Sequence, residues 1–379
     1  MHTFETLGVN GALCAALGNL GISAPTKIQE EILPKLLAGD NVTGVAPTGT
    51  GKTLAYLLPA LARIDAALPA PQAIVLAPTY ELAMQIARTA QELTQAAGLP
   101  IRALGLVGGA NTARQIERLK KKKPQLVTGS AGRLLELVQK GKLKLQNVSL
   151  LVLDEFDRLF DVQNMAHTTA FVQALRKARG DRPVTYALFS ATASRRALEQ
   201  ADFLGHPALI RVEAAPEDLA HVEHYAMVVP FRDKIQKVRK LTRRLGVKRG
   251  LVFTNRVYDA YKMLEHLRYD GLRVTVLTGR ENQQLRRKAV ADLEKGAATL
   301  LLATDLAARG LDIRDIDTVF NLDLPEDART YLHRAGRTGR AGKEGRVVTL
   351  ADPKEAGKLT RLQKALSLSF QPLKTASGR

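Results

Sequence analysis

Cysteine, tryptophan and long apolar runs are scarce or absent in this 379-residue sequence, which has one cysteine and no tryptophan. With Cys14 alone the chain cannot form an internal disulfide, and no Cys/His cluster has the spacing of a zinc site. No apolar run reaches the roughly 18 residues that a membrane span needs, and no charged-then-apolar leader opens the chain. We therefore expect a soluble, cytoplasmic protein.

Acidic residues are outnumbered by basic ones. The chain has 56 lysines and arginines and 37 aspartates and glutamates, which gives a formal charge of +19. This excess favours a polyanionic partner, most simply nucleic acid, although an inert basic surface would give the same charge. Aromatic residues make up only 5% of the chain, so rows of stacking side chains are not expected and the nucleic-acid backbone is the expected target. Four lysines at 120–123 are either a phosphate patch or a solvated loop.

Short apolar runs alternate with amphipathic stretches along the chain. The runs are AIVLAPT (73–79), PQLVTGS (124–130), LLVLDE (150–155), YALFSAT (186–192), GLVFTN (250–255), VTVLTG (274–279), LLLATD (300–305) and TVFNLD (318–323). Runs that are apolar on both faces predict an α/β fold with parallel sheets built from βαβ units. Most end in small, hydroxylic or acidic residues, which indicates a ligand-binding edge in each half, although helix caps favour the same residue types.

The length of the chain favours two domains. The polar stretch VEAAPEDLA (212–220) has no strand pattern and marks the boundary. We predict domains at 1–212 and 221–368, a linker at 213–220, and a short loose tail at 369–379.

The stretch APTGTGKT (46–53) lies between a predicted strand and a predicted helix. It fits the phosphate-loop pattern, with alanine in place of the first glycine. The glycines would let backbone N–H groups point at phosphate oxygens, and the helix would add its positive N-terminal end. Lys52 is predicted to reach the β- and γ-phosphates and the Thr53 hydroxyl to bind Mg²⁺. The predicted nucleotide contacts are Ala46, Pro47, Thr48, Gly49, Thr50, Gly51, Lys52 and Thr53.

A second stretch, VLDEFDRLFD (152–161), is acidic and contains the end of another predicted strand. A phosphate loop works with an acid that holds the metal and with an acceptor that orients the attacking water. Asp154 and Glu155 stand where these groups are required, although an acidic helix start would show the same residues.

This stretch resembles motif II of the DEAD-box RNA helicases, with Phe156 where that family has alanine. The resemblance covers nearly the whole chain and implies two RecA-like domains. It also implies that Asp154 holds Mg²⁺, that Glu155 orients or deprotonates water, and that Asp157 couples to the SAT segment through Ser190 and Thr192. We expect the Phe156 ring to point into the domain's packing.

Further motifs of the first half resemble the same family. GISAPTKIQ (21–29) resembles the adenine-reading Q motif, which implies contacts from Gln29, Lys27 and the distant Phe4. A side-chain amide can read the adenine edge with paired hydrogen bonds, so Gln29 favours ATP over GTP. APTYELAMQ (77–85) resembles motif Ia with Tyr80 in place of its usual arginine, and SAGR (130–133) resembles a TPGR segment. The implied RNA contacts are Pro78, Thr79, Gly108, Gly109, Gly132 and Arg133.

The second half resembles the family more closely. VFTNR (252–256), ENQQLRR (281–287), ATDLAARGLDI (303–313) and YLHRAGRTGRAG (331–342) match its later motifs. Arg334, Arg337 and Arg340 recur every three residues, so we expect a tight turn or a helix start to present them along one side. The resemblance makes Arg337 and Arg340 arginine fingers. It implies coupling by His333, nucleotide contacts from Gly310 and Asp312, and RNA contacts from Arg256, Thr278, Gly279, Gln283, Arg286, Thr304 and Arg309.

These motifs favour an ATP-dependent RNA helicase that uses ATP and Mg²⁺, is monomeric, and unwinds RNA locally as its domains close. A non-hydrolysing RNA clamp, a DNA helicase of the same superfamily, and a protein that assembles on ribosomal particles remain alternatives.

Overall fold

The computed structural model describes most of the chain. The described residues are 2–46, 49–108, 111–162, 164–191, 195–212, 221–279, 281, 283–308, 313, 315–339, 343–366 and 368–373, with backbone alone at 195, 196, 283, 306, 308 and 329. The chain divides into two units, Met1–Glu213 and Ala214–Arg379. The predicted linker at 213–220 lies outside the described residues. Within the described part of the chain, no helix is both long and apolar enough to cross a membrane.

The first unit contains a seven-stranded parallel sheet. Its strands are β1 Val42–Val45, β2 Ala73–Leu76, β3 Ala103–Leu106, β4 Leu126–Gly129, β5 Leu150–Asp154, β6 Thr185–Ser190 and β7 Ala208–Arg211, in the order β3-β4-β2-β5-β6-β1-β7. Its helices are α1 Gly11–Asn19, α2 Lys27–Ala38, α3 Lys52–Ala62, α4 Tyr80–Ala96, α5 Thr112–Lys122, α6 Ala131–Gln139, α7 Phe156–Leu159, α8 Met165–Arg179 and α9 Arg195–Ala201.

The second unit contains another seven-stranded parallel sheet. Its strands are β8 Val222–Val228, β9 Gly250–Phe253, β10 Val274–Leu277, β11 Leu300–Ala303, β12 Thr318–Asn321, β13 Gly345–Ala351 and β14 Gln371–Pro372, in the order β10-β11-β9-β12-β13-β8-β14. Its helices are α10 Lys234–Arg244, α11 Val257–Tyr269, α12 Gln283–Glu294, α13 Asp305–Ala308, α14 Ala328–Ala335 and α15 Ala356–Leu366. Counted along the chain, the two sheets have the same strand order.

Helices cover both faces of the sheets, which explains why the strand sequences are apolar throughout. In the first sheet, Val75 and Val152 pack with residues of α1 to α4. Their neighbours Ile74 and Leu151 point the other way and pack with residues of α5 to α9. The second sheet is covered in the same manner, by α12, α14 and α15 on one face and by α10 and α11 on the other. The predicted α/β class is confirmed.

The predicted loose tail is partly wrong, because its first residues join the second sheet. Gln371 and Pro372 pair with β8 in parallel. The preceding Phe370 packs its ring against His224 and Tyr331, with ring centroids 5.9 and 5.3 Å away. This aromatic contact holds the segment on the sheet. Residues 374–379 lie outside the described residues.

Candidate nucleotide site and nucleic-acid interface

The residues predicted to handle ATP follow three neighbouring strands of the first sheet. The phosphate loop follows β1, the acidic stretch follows β5, and Ser190 ends β6, which pairs with both. Since parallel strands end at one edge, the fold brings these segments together although they are far apart in sequence.

The described part of the phosphate loop has the backbone that a phosphate site requires. Gly49 and Gly51 have φ values of 91° and 86°, in the left-handed region that glycine adopts at little cost. Helix α3 begins at Lys52, so its free N–H groups face the loop. The Lys52 Nζ donates to the Ala46 carbonyl oxygen at 2.5 Å, which holds the ammonium over the loop. Pro47 and Thr48 lie outside the described residues.

Gln29 is buried and touches the phosphate loop directly. Its Oε1 accepts from the Thr26 backbone N–H at 3.0 Å, and its Nε2 donates to the Gly51 carbonyl at 3.0 Å. A Cβ built on Gly51 would lie 2.3 Å from that Nε2, so a side chain here would displace the Gln29 amide, in addition to the strain of the positive φ. The amide keeps one further donor and one further acceptor, which is what a paired contact with adenine needs. The structure thus links the Q motif to the loop.

The other two residues of the predicted adenine site lie in different surroundings. Phe4 is buried in the hydrophobic core of the first unit. Lys27 is exposed at the first position of α2. Stacking of Phe4 on adenine stays a prediction.

Asp154 is almost fully buried at the end of β5. Its Oδ1 accepts from the Glu155 backbone N–H at 3.0 Å, and its Oδ2 accepts from the Tyr56 hydroxyl at 2.8 Å. Burial raises the pKa of Asp154 above its usual range, although the Tyr56 hydrogen bond and the nearby Lys52 charge both act to lower it. Lys52 and Asp154 are therefore close enough to interact, as a nucleotide site requires.

The acidic edge offers oxygen ligands of the kind that Mg²⁺ prefers. The Asp154 carboxylate and the Thr53 hydroxyl both interact with the same phenol, that of Tyr56. Mg²⁺ is usually held by one or two carboxylates, with phosphates and water as its other ligands. Among the described residues, no group of three or more His, Cys, Asp or Glu side chains could hold a metal ion. The donor set fits a metal that arrives with a nucleotide.

Glu155 has an unusual backbone conformation for a side chain of its size. Its φ is 51°, in the left-handed region, which costs a non-glycine residue about 1 kcal/mol or more. Its Oε2 lies 3.6 Å from an Arg158 guanidinium nitrogen. Strain of this kind is common where a residue is held for function, and nothing in the sequence pattern predicts it.

The motif II and SAT segments meet as the resemblance implied. The Ser190 hydroxyl donates to the Asp157 carboxylate at 2.6 Å. Thr192 lies outside the described residues, and the coupling role of this contact stays a prediction.

Phe156 points into the core, as expected. It has no exposed surface and packs in the cluster that contains Phe171 and Leu188.

We expect the Phe156→Ala variant to lose about 3–5 kcal/mol in the free energy of unfolding, because it leaves a cavity in a closed core. ATP affinity should change little, since the ring packs inside the domain core and not against the phosphate loop. Urea denaturation and nucleotide titration measure the two effects, with Phe203→Ala, which is 37% exposed, as the milder control. A large loss of ATP affinity with little loss of stability would contradict this prediction.

Residues predicted to contact RNA follow three further neighbouring strands of the first sheet, β3, β4 and β2. Thr79 caps α4, its hydroxyl accepting from the Leu82 backbone N–H at 3.3 Å, and Pro78 precedes it. Arg133 is largely buried, hydrogen-bonded to the Thr112 hydroxyl and 3.0 Å from the Glu136 carboxylate. Gly132 lies beside it in α6, and Gly108 follows β3 after one residue. Gly109 lies outside the described residues.

The corresponding residues of the second unit follow β10, β11 and β9. The Thr304 hydroxyl donates to the Thr278 carbonyl oxygen at 3.4 Å, which joins two of these strand ends. Arg256 is exposed at the residue that precedes α11, and Arg286 donates to the Ala307 carbonyl oxygen at 3.3 Å. Arg309, Gly310, Asp312 and the Gln283 side chain lie outside the described residues.

Glu281 occupies the hydrogen-bond donors of the Thr278–Gly279 turn. Its carboxylate accepts from the backbone N–H groups of Thr278 and Gly279 at 2.7 and 3.0 Å, from the Thr278 hydroxyl at 2.9 Å and from the Tyr261 hydroxyl at 2.7 Å. Burial opposes ionisation, but these hydrogen bonds outweigh it, so the pKa of Glu281 lies below its usual value. The sequence did not point to this residue.

We expect Glu281→Gln to cost about 1–2 kcal/mol of unfolding free energy at neutral pH, because charge-assisted hydrogen bonds are lost. The folded-state pKa is lowered, so this stabilisation is present above the unfolded pKa of about 4 and is lost as pH falls through the folded value. The difference between wild type and variant should therefore shrink in acid. Denaturation from pH 7 to about pH 3 measures it, and a difference that grows on acidification would contradict it. The exposed Glu344→Gln serves as control.

The expectation that a tight turn or a helix start presents three arginines along one side is wrong for Arg334. This residue is 1% exposed. Its guanidinium donates to both Asp305 carboxylate oxygens at 2.8 and 2.6 Å, to the Asn255 and Asn321 side chains and to the Asp323 carbonyl, and it stacks 5.0 Å from the Phe253 ring centroid. Partners on distant elements satisfy its donors and keep it inside the domain.

The remaining motif VI residues are placed only in part. Arg337 is largely buried just after α14, and His333 is half-buried within that helix. Arg340 lies outside the described residues. Their action as arginine fingers and coupling residue stays a prediction.

Comparison with known proteins agrees with this arrangement. The family described as DEAD/DEAH box helicase matches residues 26–201, and the family described as helicase conserved C-terminal domain matches residues 233–342. The chain is 39% identical over 351 residues to the DEAD-box ATP-dependent RNA helicase CshC of Bacillus cereus, covering 92% of this chain and 88% of that protein. It is 38% identical to the probable ATP-dependent RNA helicase YfmL of Bacillus subtilis, covering 95% and 93%.

Solved structures give the same result for the fold. The S. cerevisiae protein Dbp5, bound to RNA and ADP BeF3, superposes with a TM-score of 0.80 at 28% identity, covering 98% of this chain and 96% of that one. This likeness confirms the prediction of two RecA-like domains.

Proposed function

This chain belongs to the DEAD-box family of ATP-dependent RNA helicases, and on that basis we propose that it binds RNA across both domains and couples ATP hydrolysis to local duplex unwinding or to remodelling of RNA–protein particles. The observation that carries the proposal is the convergence of Lys52, Gln29 and Asp154 at one edge of the first sheet. These three provide a phosphate ligand, an adenine reader and a metal ligand.

The first domain would bind and orient ATP. Backbone N–H groups from Gly49 to Thr53, together with the Lys52 ammonium, would hold the phosphates, since a helix N-terminus favours anions. Mg²⁺, held by Asp154 and the Thr53 hydroxyl, would neutralise charge on the phosphates. Glu155 would accept a hydrogen bond from the attacking water and orient it toward the γ-phosphate.

The second domain would complete both sites. We infer that Arg337 and Arg340 stabilise charge on the γ-phosphoryl group when the domains close, as an arginine finger does. Thr304, Arg309 and Arg256 would hold the RNA backbone beside the first domain's Thr79 and Gly108. Recognition through phosphates and 2′-hydroxyls would tolerate many sequences and prefer RNA to DNA. The match to motif VI and to the C-terminal helicase family supports this assignment.

The decisive experiment measures phosphate release by the full chain with and without a short RNA duplex. We expect strong stimulation by RNA, weak stimulation by a DNA of the same sequence, and RNA binding that weakens steeply with salt. Glu155→Gln removes the proposed water-orienting carboxylate while keeping its size, and should bind RNA and ATP without turnover. If the wild-type chain releases phosphate no faster than Glu155→Gln, the result would favour a non-hydrolysing RNA clamp. Equal stimulation by RNA and DNA would favour a DNA helicase.

Association with ribosomal particles, a monomeric state and a cytoplasmic location are proposed from the sequence. Co-sedimentation with ribosomal subunits tests the first, and light scattering of the purified chain tests the second.

A further inference from the structure

We propose that Tyr56 is a positioning residue, which fixes the Asp154 carboxylate in the orientation that binds nucleotide-associated Mg²⁺. This inference rests on the proposed ATPase function and adds to it a residue outside the recognised motifs.

Tyr56 lies one helical turn after Lys52 in α3, so both side chains project from the same face of the helix. The tyrosine has no exposed surface. Its ring packs against Phe189 of β6, with centroids 5.1 Å apart and planes inclined by 55°. Since β6 pairs with both β1 and β5, the ring is held by the framework that carries the site.

The hydroxyl is the only polar atom of this side chain, and it is directed at the site. It donates to the Asp154 Oδ2 at 2.8 Å, while the Glu155 backbone N–H holds Oδ1 at 3.0 Å. Two donors from different elements thus fix the plane of one carboxylate, although the terminal torsion of aspartate is otherwise broad. The Thr53 hydroxyl, the other proposed Mg²⁺ ligand, also interacts with this phenol.

A purely structural role would use the same hydrogen bond to satisfy a buried hydroxyl. The two roles differ in what the hydroxyl controls. A structural hydroxyl affects the folded fraction of the protein, whereas a positioning hydroxyl affects how tightly the folded protein binds Mg²⁺ with nucleotide. Outer partners of metal ligands change metal affinity or activity by about 10–100-fold when removed.

The test uses Tyr56→Phe, which deletes the hydroxyl and keeps the ring against Phe189. Binding of a fluorescent ADP analogue to the full chain is titrated with and without Mg²⁺, and RNA-stimulated phosphate release is followed against free Mg²⁺ at saturating ATP. We expect about 10-fold weaker binding in the presence of Mg²⁺, unchanged binding without it, and a shift of half-maximal release to higher Mg²⁺. The matched control is Tyr186→Phe, at a buried tyrosine of strand β6 whose hydroxyl accepts a hydrogen bond from Arg176 instead.

A double-mutant cycle with Asp154→Asn separates action through Asp154 from action elsewhere. If Tyr56 acts through that carboxylate, Tyr56→Phe should change Mg²⁺-dependent ADP binding little in the Asp154→Asn background. An equal loss in both backgrounds, or a Tyr56→Phe protein with wild-type Mg²⁺ dependence, overturns the proposal. Because ADP binding needs no turnover, an inactive wild-type chain would contradict the proposed ATPase function and still leave Tyr56 tested.

Discussion

The Asp154→Asn variant is expected to lose RNA-stimulated phosphate release by on the order of 10²-fold or more while its first domain becomes more resistant to heat. Activity falls because an amide is a poor ligand for Mg²⁺. Stability rises because burial penalises the charged carboxylate, whose pKa is raised in the folded protein. The site thus holds a charge that the fold alone would disfavour.

The pH dependence of this gain has a definite sign. A group whose pKa is raised on folding destabilises the protein once it ionises, that is, as pH rises from the unfolded pKa of about 4 through the folded value. The melting temperatures of wild type and Asp154→Asn should therefore differ more at pH 7 than near pH 4. Asp40→Asn, at an exposed aspartate of the same domain, should change neither activity nor stability. A less stable Asp154→Asn protein, or one that retains turnover, would contradict the prediction.

The Asp305→Ala variant is expected to destabilise the second domain by about 3–5 kcal/mol, because it leaves the Arg334 guanidinium buried without its counter-ion. The arginine side chain is 2% exposed and the aspartate 35%, so the arginine carries the larger penalty.

Hydrogen exchange in the full chain resolves this effect by domain. Protection should fall in β11 and β12 and stay unchanged in β5 and β6. Glu265→Ala removes an exposed carboxylate of the same domain and should leave exchange at its wild-type rate. Equal protection in wild type and Asp305→Ala would mean that the other acceptors suffice for Arg334.

The sheets could be predicted because their signal is local. Runs such as LLVL (150–153) are apolar at every residue, and short runs of this kind are typical of a strand covered on both faces. The residues predicted to bind nucleotide could be placed because they follow those runs directly. Since the strands are parallel, Asp154 and Lys52 lie at the same edge of the sheet.

The contacts that could not be predicted join residues that are remote in sequence. Arg334 looks like the first of three equivalent arginines, and only the fold shows that Asp305 and Asn321 enclose it. Tyr56 shows in the sequence only as the residue one turn after Lys52, and its acceptor lies 98 positions away. Phe370 stands in a polar tail, yet its ring packs against His224 and Tyr331. Periodicity reports which face of an element is apolar, and it carries no information about which polar groups will meet.

The shared strand order gives each position in one sheet a counterpart in the other. β8 corresponds to β1, and each is followed by a helix that begins with lysine, Lys234 in the second domain and Lys52 in the first. Lys234 is buried, and its Nζ donates to the Leu322 carbonyl at 2.8 Å and lies 3.5 Å from the Glu355 carboxylate.

Where the first domain has a glycine loop between strand and helix, the second has Val229 and Pro230, and proline offers no N–H to a phosphate. The ammonium at this position is instead buried inside the domain beside the Glu355 carboxylate. The same arrangement of strand and helix thus binds nucleotide in the first domain and forms part of the packed interior in the second. Titration should therefore find one ATP per chain.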